Sequence, residues 1–165
     1  MMRVYGKVGL GSFSTKGYFI MFQVKVSIVI NRPLEEVFSF LSNLENNMKW
    51  RSGMIKAEKI SAGPIVAGTT YRLINSLFGR QVEGEAVVTE YELNRKYATV
   101  NKSGLPIKTQ RMFELVDGGT RVTFSVETEL GGFFKLVEPL MAKIGKRRLQ
   151  ADAAMVKNII EAGAL

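Results

Sequence analysis

From residue 55 to residue 129 the chain repeats one device: a run that alternates apolar and polar residues, then a turn. The runs are 55–61, 69–75, 81–92, 97–102, 107–116 and 120–129. Alternation puts one side of an extended chain in a core and the other in water, so each run predicts a strand. Between them stand Gly63-Pro64, Leu77-Phe78-Gly79, Asn94-Arg95-Lys96, Ser103-Gly104-Leu105-Pro106 and Asp117-Gly118-Gly119. Asp-Gly between two alternating runs is the strongest hairpin signal of the set. Successive hairpins imply an antiparallel meander.

The flanks complete the design. Val24, Val26, Ile28 and Ile30 alternate with Gln23, Lys25, Ser27 and Val29, which predicts a first strand from about residue 22. Asn31-Arg32-Pro33 stops it, and Pro33 suits the first turn of a helix. Leu34, Val37, Phe38 and Leu41 recur at helical spacing, so 33–43 is a short amphipathic helix, and 44–48 adds a further turn before Trp50. Gly131-Gly132 opens a long helical pattern that runs to about residue 162. Phe133, Val137, Leu140, Met141, Ile144, Ala151, Met155 and Ile159 share its apolar stripe. Pro139 falls in its second turn and either kinks the helix or delays its start. The expected class is α+β: a seven-stranded curved antiparallel sheet wrapped around one long C-terminal helix, with one or two short helices after the first strand.

Composition narrows the chemistry. The 165 residues suit one domain, and they contain no Cys and no His. Disulfides, thiolate nucleophiles, imidazole bases and Cys- or His-bound metals are therefore excluded, and no metal or cofactor is expected. The 23 Lys and Arg against 15 Asp and Glu give a net charge of +8, which attracts nucleic acid, anionic membrane and acidic small molecules alike. The basic run Lys143 to Arg148 has no stacking platform beside it, so a solvated helix face is favoured over nucleic-acid binding. In residues 1–20, Gly6, Gly9, Gly11 and Gly17 with Ser12 and Ser14 suggest a flexible extension, leaving 21–165 as the domain. Met21 stands directly before the first ordered element and is a candidate natural start. Glycine and serine break any signal-peptide core, and the apolar run 18–30 is too short and too polar for a membrane span, so the expected location is the cytoplasm. The pattern carries no signal for oligomeric state.

Several phrases, in order, resemble the START-like helix-grip superfamily (SRPBCC), in particular its polyketide cyclase/dehydrase and lipid-transport group. They are Val29-Ile30-Asn31-Arg32-Pro33-Leu34-Glu35-Glu36-Val37-Phe38, Met48-Lys49-Trp50, Val88-Thr89-Glu90-Tyr91-Glu92, Gly118-Gly119-Thr120-Arg121-Val122-Thr123 and a basic final helix through Arg147-Arg148-Leu149. The resemblance covers about residues 22–162. It implies a deep cavity between sheet and long helix that holds an apolar or amphipathic small molecule. Members of the superfamily include enzymes, binders of ubiquinone, lipids or hormones, and co-chaperones.

Alternation assigns the inward faces. Val122, Phe124 and Val126 bring Thr128 inward; Phe113 and Leu115 bring Arg111 and Thr109 inward; Val82, Gly84, Ala86 and Val88 bring Glu90 inward. Burying an unpaired Arg is strongly unfavourable, so Arg111 should meet Glu90, another carboxylate, water or the acid group of a ligand. Trp50 and Tyr71 read as walls with a polar tip. In a meander, alternate turns share one end of the sheet. That end here collects Trp50, Met54, Leu77, Phe78, Leu105, Pro106, Phe133 and Phe134, either as a plug over the core or as the mouth of a pocket. The expected ligand-binding set is Trp50, Tyr71, Leu77, Phe78, Val88, Glu90, Arg111, Phe113, Phe124, Phe134, Met141 and Ile144.

Lys49, Arg51, Arg80, Lys102, Lys108 and Lys135 flank the mouth in sequence, a collar suited to transient contact with an anionic membrane or to steering an acidic ligand. Two functions follow. The favoured one is a non-catalytic binding or carrier protein for a lipid, isoprenoid or polyketide-like compound. The alternative is a cyclase/dehydratase-type enzyme with Glu90 as acid or base, Tyr71 as donor and Arg111 as oxyanion partner.

Overall fold

The computed structural model describes residues 3–6, 19–77, 79–103, 106–131 and 138–164, and side chains over 23–76, 79–103, 106–128 and 143–164. The chain order is β1 (Arg3–Gly6), β2 (Phe19–Ile30), α1 (Leu34–Leu41), a 3-10 helix (Leu44–Lys49), then β3 (Met54–Lys59), β4 (Thr70–Leu77) and β5 (Arg80–Glu92). β6 (Lys96–Asn101), β7 (Ile107–Val116), β8 (Gly119–Gly131) and α2 (Glu138–Glu161) follow.

The strands form one sheet in the order β1-β2-β8-β7-β6-β5-β4-β3. β3 to β8 are the predicted meander, each pairing antiparallel with the next. β2 joins it through β8, in register from Phe19↔Gly131 to Ile30↔Thr120. Those seven strands are the predicted ones. The eighth, β1, comes from the segment read as flexible: Arg3 to Gly6 pair with Ser27 to Val24 and cover the outer edge of β2, an edge that otherwise presents unpaired N–H and C=O groups.

Local chemistry explains the ends of the elements. Asp117-Gly118 makes the tight β7–β8 turn, with Gly118 at φ 80°, a conformation open to glycine at no steric cost. Gly119 lies so close to the backbone of Ile30 and Asn31 that a side chain there would collide with both. Pro33 precedes α1 with extended backbone, and the Asn43 side chain caps the 3-10 helix by accepting from the Glu45 N–H at 3.0 Å. α2 begins at Glu138, so Pro139 occupies its first turn, where the missing N–H costs nothing. At its far end Glu161 accepts from the Asn31 N–H at 2.7 Å, and Arg32 donates to the Glu161 carbonyl at 2.8 Å.

Val37, Phe38, Phe40 and Leu41 of α1 and Ala153, Val156 and Ile160 of α2 fill the core against the sheet. The α2 stripe is phased differently from the sequence expectation. Leu149, Asp152, Val156 and Ile160 follow the packed side, whereas Ile144 and Met155 are 52% and 51% exposed. An aspartate on the inner side and two large apolar residues on the outer side blur the pattern from which phase is read. Among the described residues, no helix is long and apolar enough to cross a membrane.

Candidate ligand-binding cavity

The register of the sheet sets out the site in two layers. Val24, Val126, Thr109 and Thr99 are direct neighbours across β2, β8, β7 and β6. Two residues further along each strand, on the same face, stand Val26, Phe124, Arg111 and Tyr97. The first layer is small or β-branched and lines a cavity of about 530 Å³, within the range of small-molecule sites. The second layer is bulky and buried. Gly84 and Leu73 of β5 and β4 continue the cavity wall, and Leu44, Asn47, Gly145 and Leu149 close it from the helices. The Thr99 and Thr109 hydroxyls bond to each other at 2.7 Å in this wall.

A polar clasp joins the loop after Trp50 to α2 at the same cavity. Buried Asp152 accepts from the Ser52 N–H at 3.0 Å and the Ser52 hydroxyl at 2.8 Å. Arg148 donates to the Ser52 hydroxyl at 3.0 Å and to its carbonyl. Burial lowers the pKa of the neighbouring Arg51 guanidinium, against the pull of the Asp152 charge.

Arg111 is only 4% exposed. Its guanidinium lies over the Trp50 ring at 5.2 Å and the Tyr97 ring at 5.6 Å. It donates to the Leu41 carbonyl and, at 2.9 Å, to Asn47 Oδ1. Among the described residues it forms no ion pair, and burial pushes its pKa down to about 10. Around it, Trp50 Nε1 and Asn47 Nδ2 are buried without a hydrogen-bond partner among the described residues, and the buried Tyr71 and Tyr97 hydroxyls lie beside each other. Burial pushes the Tyr71 hydroxyl up to about 12 and the Tyr97 hydroxyl higher still, so both keep their protons at neutral pH.

Of the partners expected for Arg111, Glu90 is not the one it meets. β5 carries a bulge between Val88, which faces Thr99, and Glu90, which faces Ala98. The additional residue, Thr89, shifts the alternation by one position. Glu90 is thereby paired with Lys96, and with Lys108 at 3.8 Å, at a partly exposed site. The Lys96 ammonium holds its carboxyl below the usual range.

Of the other expected site residues, Trp50, Tyr71, Val88, Phe113 and Phe124 are core residues that back the cavity rather than face it. Ile144 is half exposed and lies outside the cavity wall. The Leu77 and Met141 side chains, and Phe78, Leu105, Phe133 and Phe134 entirely, lie outside the described residues. The sequence reading missed Asn47, Tyr97, Thr99 and Asp152. Tyr97 and Thr99 were legible by alternation from the β6 pattern; Asn47 and Asp152 depend on tertiary contacts and carry no local signal.

A curved antiparallel sheet closed over a C-terminal helix, with a ligand-sized cavity between them, defines a START-like helix-grip domain. The sequence model of the family described as polyketide cyclase/dehydrase and lipid transport matches residues 21–161. The chain belongs to that family. No curated protein matches it. Among solved structures it is similar to TTHA0849 from Thermus thermophilus, with a TM-score of 0.72 at 18% identity, covering 87% of this chain and 99% of that one. A START superfamily protein from Mycobacterium smegmatis aligns with a TM-score of 0.65 at 15% identity, over 86% of this chain and 97% of that one. The di-domain ARO/CYC StfQ from the steffimycin biosynthetic pathway aligns with a TM-score of 0.72 at 7% identity, over 87% of this chain and 52% of StfQ. At these identities the likeness is one of fold.

Proposed function

We propose that this protein binds and carries an apolar or amphipathic small molecule in the cavity between the sheet and α2, without transforming it. The observation that carries the reading is the cavity itself: about 530 Å³, walled by Val24, Leu44, Leu73 and Val126, with two threonine hydroxyls on one side. Family membership, in a group described by both polyketide chemistry and lipid transport, supports an apolar ligand and leaves catalysis to be argued from residues. Those residues favour carriage. Glu90, the acid or base of the enzymatic alternative, is held by two lysines outside the cavity; of the carboxylates in the wall, Asp152 is committed to Ser52 and Glu83 pairs with Arg72, which leaves Glu85.

The test is binding of the neutral fluorophore N-phenyl-1-naphthylamine, together with mass spectrometry of an organic extract of the purified protein. The expected results are saturable fluorescence enhancement and a co-purified apolar compound of several hundred daltons. A folded protein that neither enhances the fluorophore nor retains any such compound would overturn the reading.

A further inference from the structure

We infer that the cavity takes an amphiphile with a carboxylate, whose head group is received at Asn47 and the Thr99–Thr109 pair in front of the buried guanidinium of Arg111. The inference rests on the carrier reading and specifies its ligand class.

The first support is an imbalance of donors over acceptors. Arg111 offers five N–H groups; its assigned acceptors, the Leu41 carbonyl and Asn47 Oδ1, are both neutral. Trp50 Nε1 and Asn47 Nδ2 add hydrogens that have no acceptor among the described residues. Buried polar groups are ordinarily paired, and buried charges are ordinarily compensated. Arg111 therefore carries a positive charge with no carboxylate beside it, and Asn47, which faces the cavity, keeps a free donor; a carboxylate head group answers both.

The second support is position. Asn47 belongs both to this cluster and to the cavity wall: its Oδ1 accepts from Arg111, and its Nδ2 is free. Thr109 precedes Arg111 by two residues on the same face of β7, and Thr99 follows Tyr97 in the same way on β6. The threonine pair is thus the layer between the open cavity and the charge. Trp50 and Tyr97 hold the guanidinium between their rings, which fixes it without neutralising it.

A monoanion matches the one charge of Arg111, whose two hydrogen-bond acceptors are neutral. Arg51 and Arg148 also line the cavity, and Arg148 donates to the Ser52 hydroxyl and carbonyl, so its charge has to be separated from that of Arg111 by experiment. Leu73, Val82, Ile107 and Val126 give the wall an apolar side that suits an aliphatic or polycyclic tail, beside a polar side with Asn75, Glu83, Glu85 and Asn101.

The experiment displaces N-phenyl-1-naphthylamine with decanoate and with decan-1-ol, which share a chain and differ in charge. For the wild-type protein the acid should compete about 10- to 100-fold better than the alcohol, the range expected for hydrogen bonds to a charged group. Arg111→Met should bring the acid down to the level of the alcohol, and Arg148→Met should keep the preference. In addition, the carboxyl carbon of bound 1-13C-decanoate should keep its ionised chemical shift to a pH at least about one unit below that for the free acid. This measurement needs no variant, so it holds even if Arg111→Met does not fold. Equal competition by acid and alcohol, as expected if Arg111 is solvated by buried water alone, would overturn the inference and leave the carrier reading standing. A preference that survives Arg111→Met or disappears with Arg148→Met, or a bound carboxyl that titrates like the free one, would also overturn it. Absence of any binding, fluorophore included, would instead remove the carrier reading on which it rests.

Discussion

Replacing Arg111 by Met should leave the ligand-free protein about as stable as it is now, an unusual expectation for a residue only 4% exposed. The guanidinium falls from an ordinary pKa of 12.5 to about 10 on folding because burial strips its water. At ~1.4 kcal/mol per pH unit, the charged native state is disfavoured by about 3 kcal/mol relative to one holding the neutral group. Against this relief, Arg111→Met deprives the Leu41 carbonyl and Asn47 Oδ1 of a donor, together costing about 2–3 kcal/mol. The two terms nearly cancel, leaving the variant within about 1 kcal/mol of wild type at neutral pH. Their pH dependence separates them. The unfolded chain binds the proton more tightly, so the penalty is full below about pH 10 and fades between that pH and the unfolded value of 12.5. Urea unfolding of both proteins at about pH 7.5 and about pH 11 should show the wild type gaining on the variant by about 1 kcal/mol or more at the higher pH. A loss above ~3 kcal/mol in the variant at neutral pH, with no relative change at high pH, would refute the reasoning, because that is the signature of a compensated buried ion pair.

Asp152→Ala removes the acceptor of two Ser52 hydrogen bonds and should cost about 2–4 kcal/mol in urea unfolding, with Asp152→Asn intermediate. Gly84→Leu places a side chain in the cavity wall, its Cβ meeting Ser103 Oγ at 3.2 Å. Titration with N-phenyl-1-naphthylamine should show affinity falling about tenfold or more, from a filled site rather than an unfolded chain. Glu90→Gln should change stability by less than ~1 kcal/mol and leave the acid-over-alcohol preference intact, since the carboxyl pairs with lysines at a partly exposed site. Its folded pKa is lowered, so its small contribution is present above the ordinary carboxylate pKa and lost as pH falls through the folded value, which unfolding at about pH 7 and about pH 3 would register.

How much was legible follows from which signals are local. Alternation and turn residues are local, so the meander, the hairpin at Asp117-Gly118 and the first strand could be read directly. Register is a relation between strands. The inward assignments of Arg111, Phe113, Val122 and Phe124 hold because β7 and β8 pair without interruption. The assignment of Glu90 fails because one bulge intervenes in β5. Neither Val88 nor Glu90 differs in chemistry from what an uninterrupted strand would carry, so nothing in the sequence marks Thr89 as the additional residue. β1 was illegible for a different reason: four residues ending in glycine become a strand only because the β2 edge is available to pair with them.

The bulge also explains why the polar cluster exists in its present form. With uninterrupted alternation, Glu90 would sit on the concave face with Arg111, and a carboxylate from the protein could satisfy the guanidinium. The shift sends that carboxylate to Lys96 and Lys108 and leaves Arg111 with two neutral oxygens and two aromatic rings. The same arrangement leaves the adjacent layer small: Thr99, Thr109 and Val126 line open space where a larger set would fill it. A protein selected only for a stable interior would gain by reversing either feature, filling the layer or pairing the charge. Both are kept, side by side, and their joint result is a cavity of ligand size backed by an uncompensated positive charge. Stability given up at one place in a fold is most economically understood as serving what binds there.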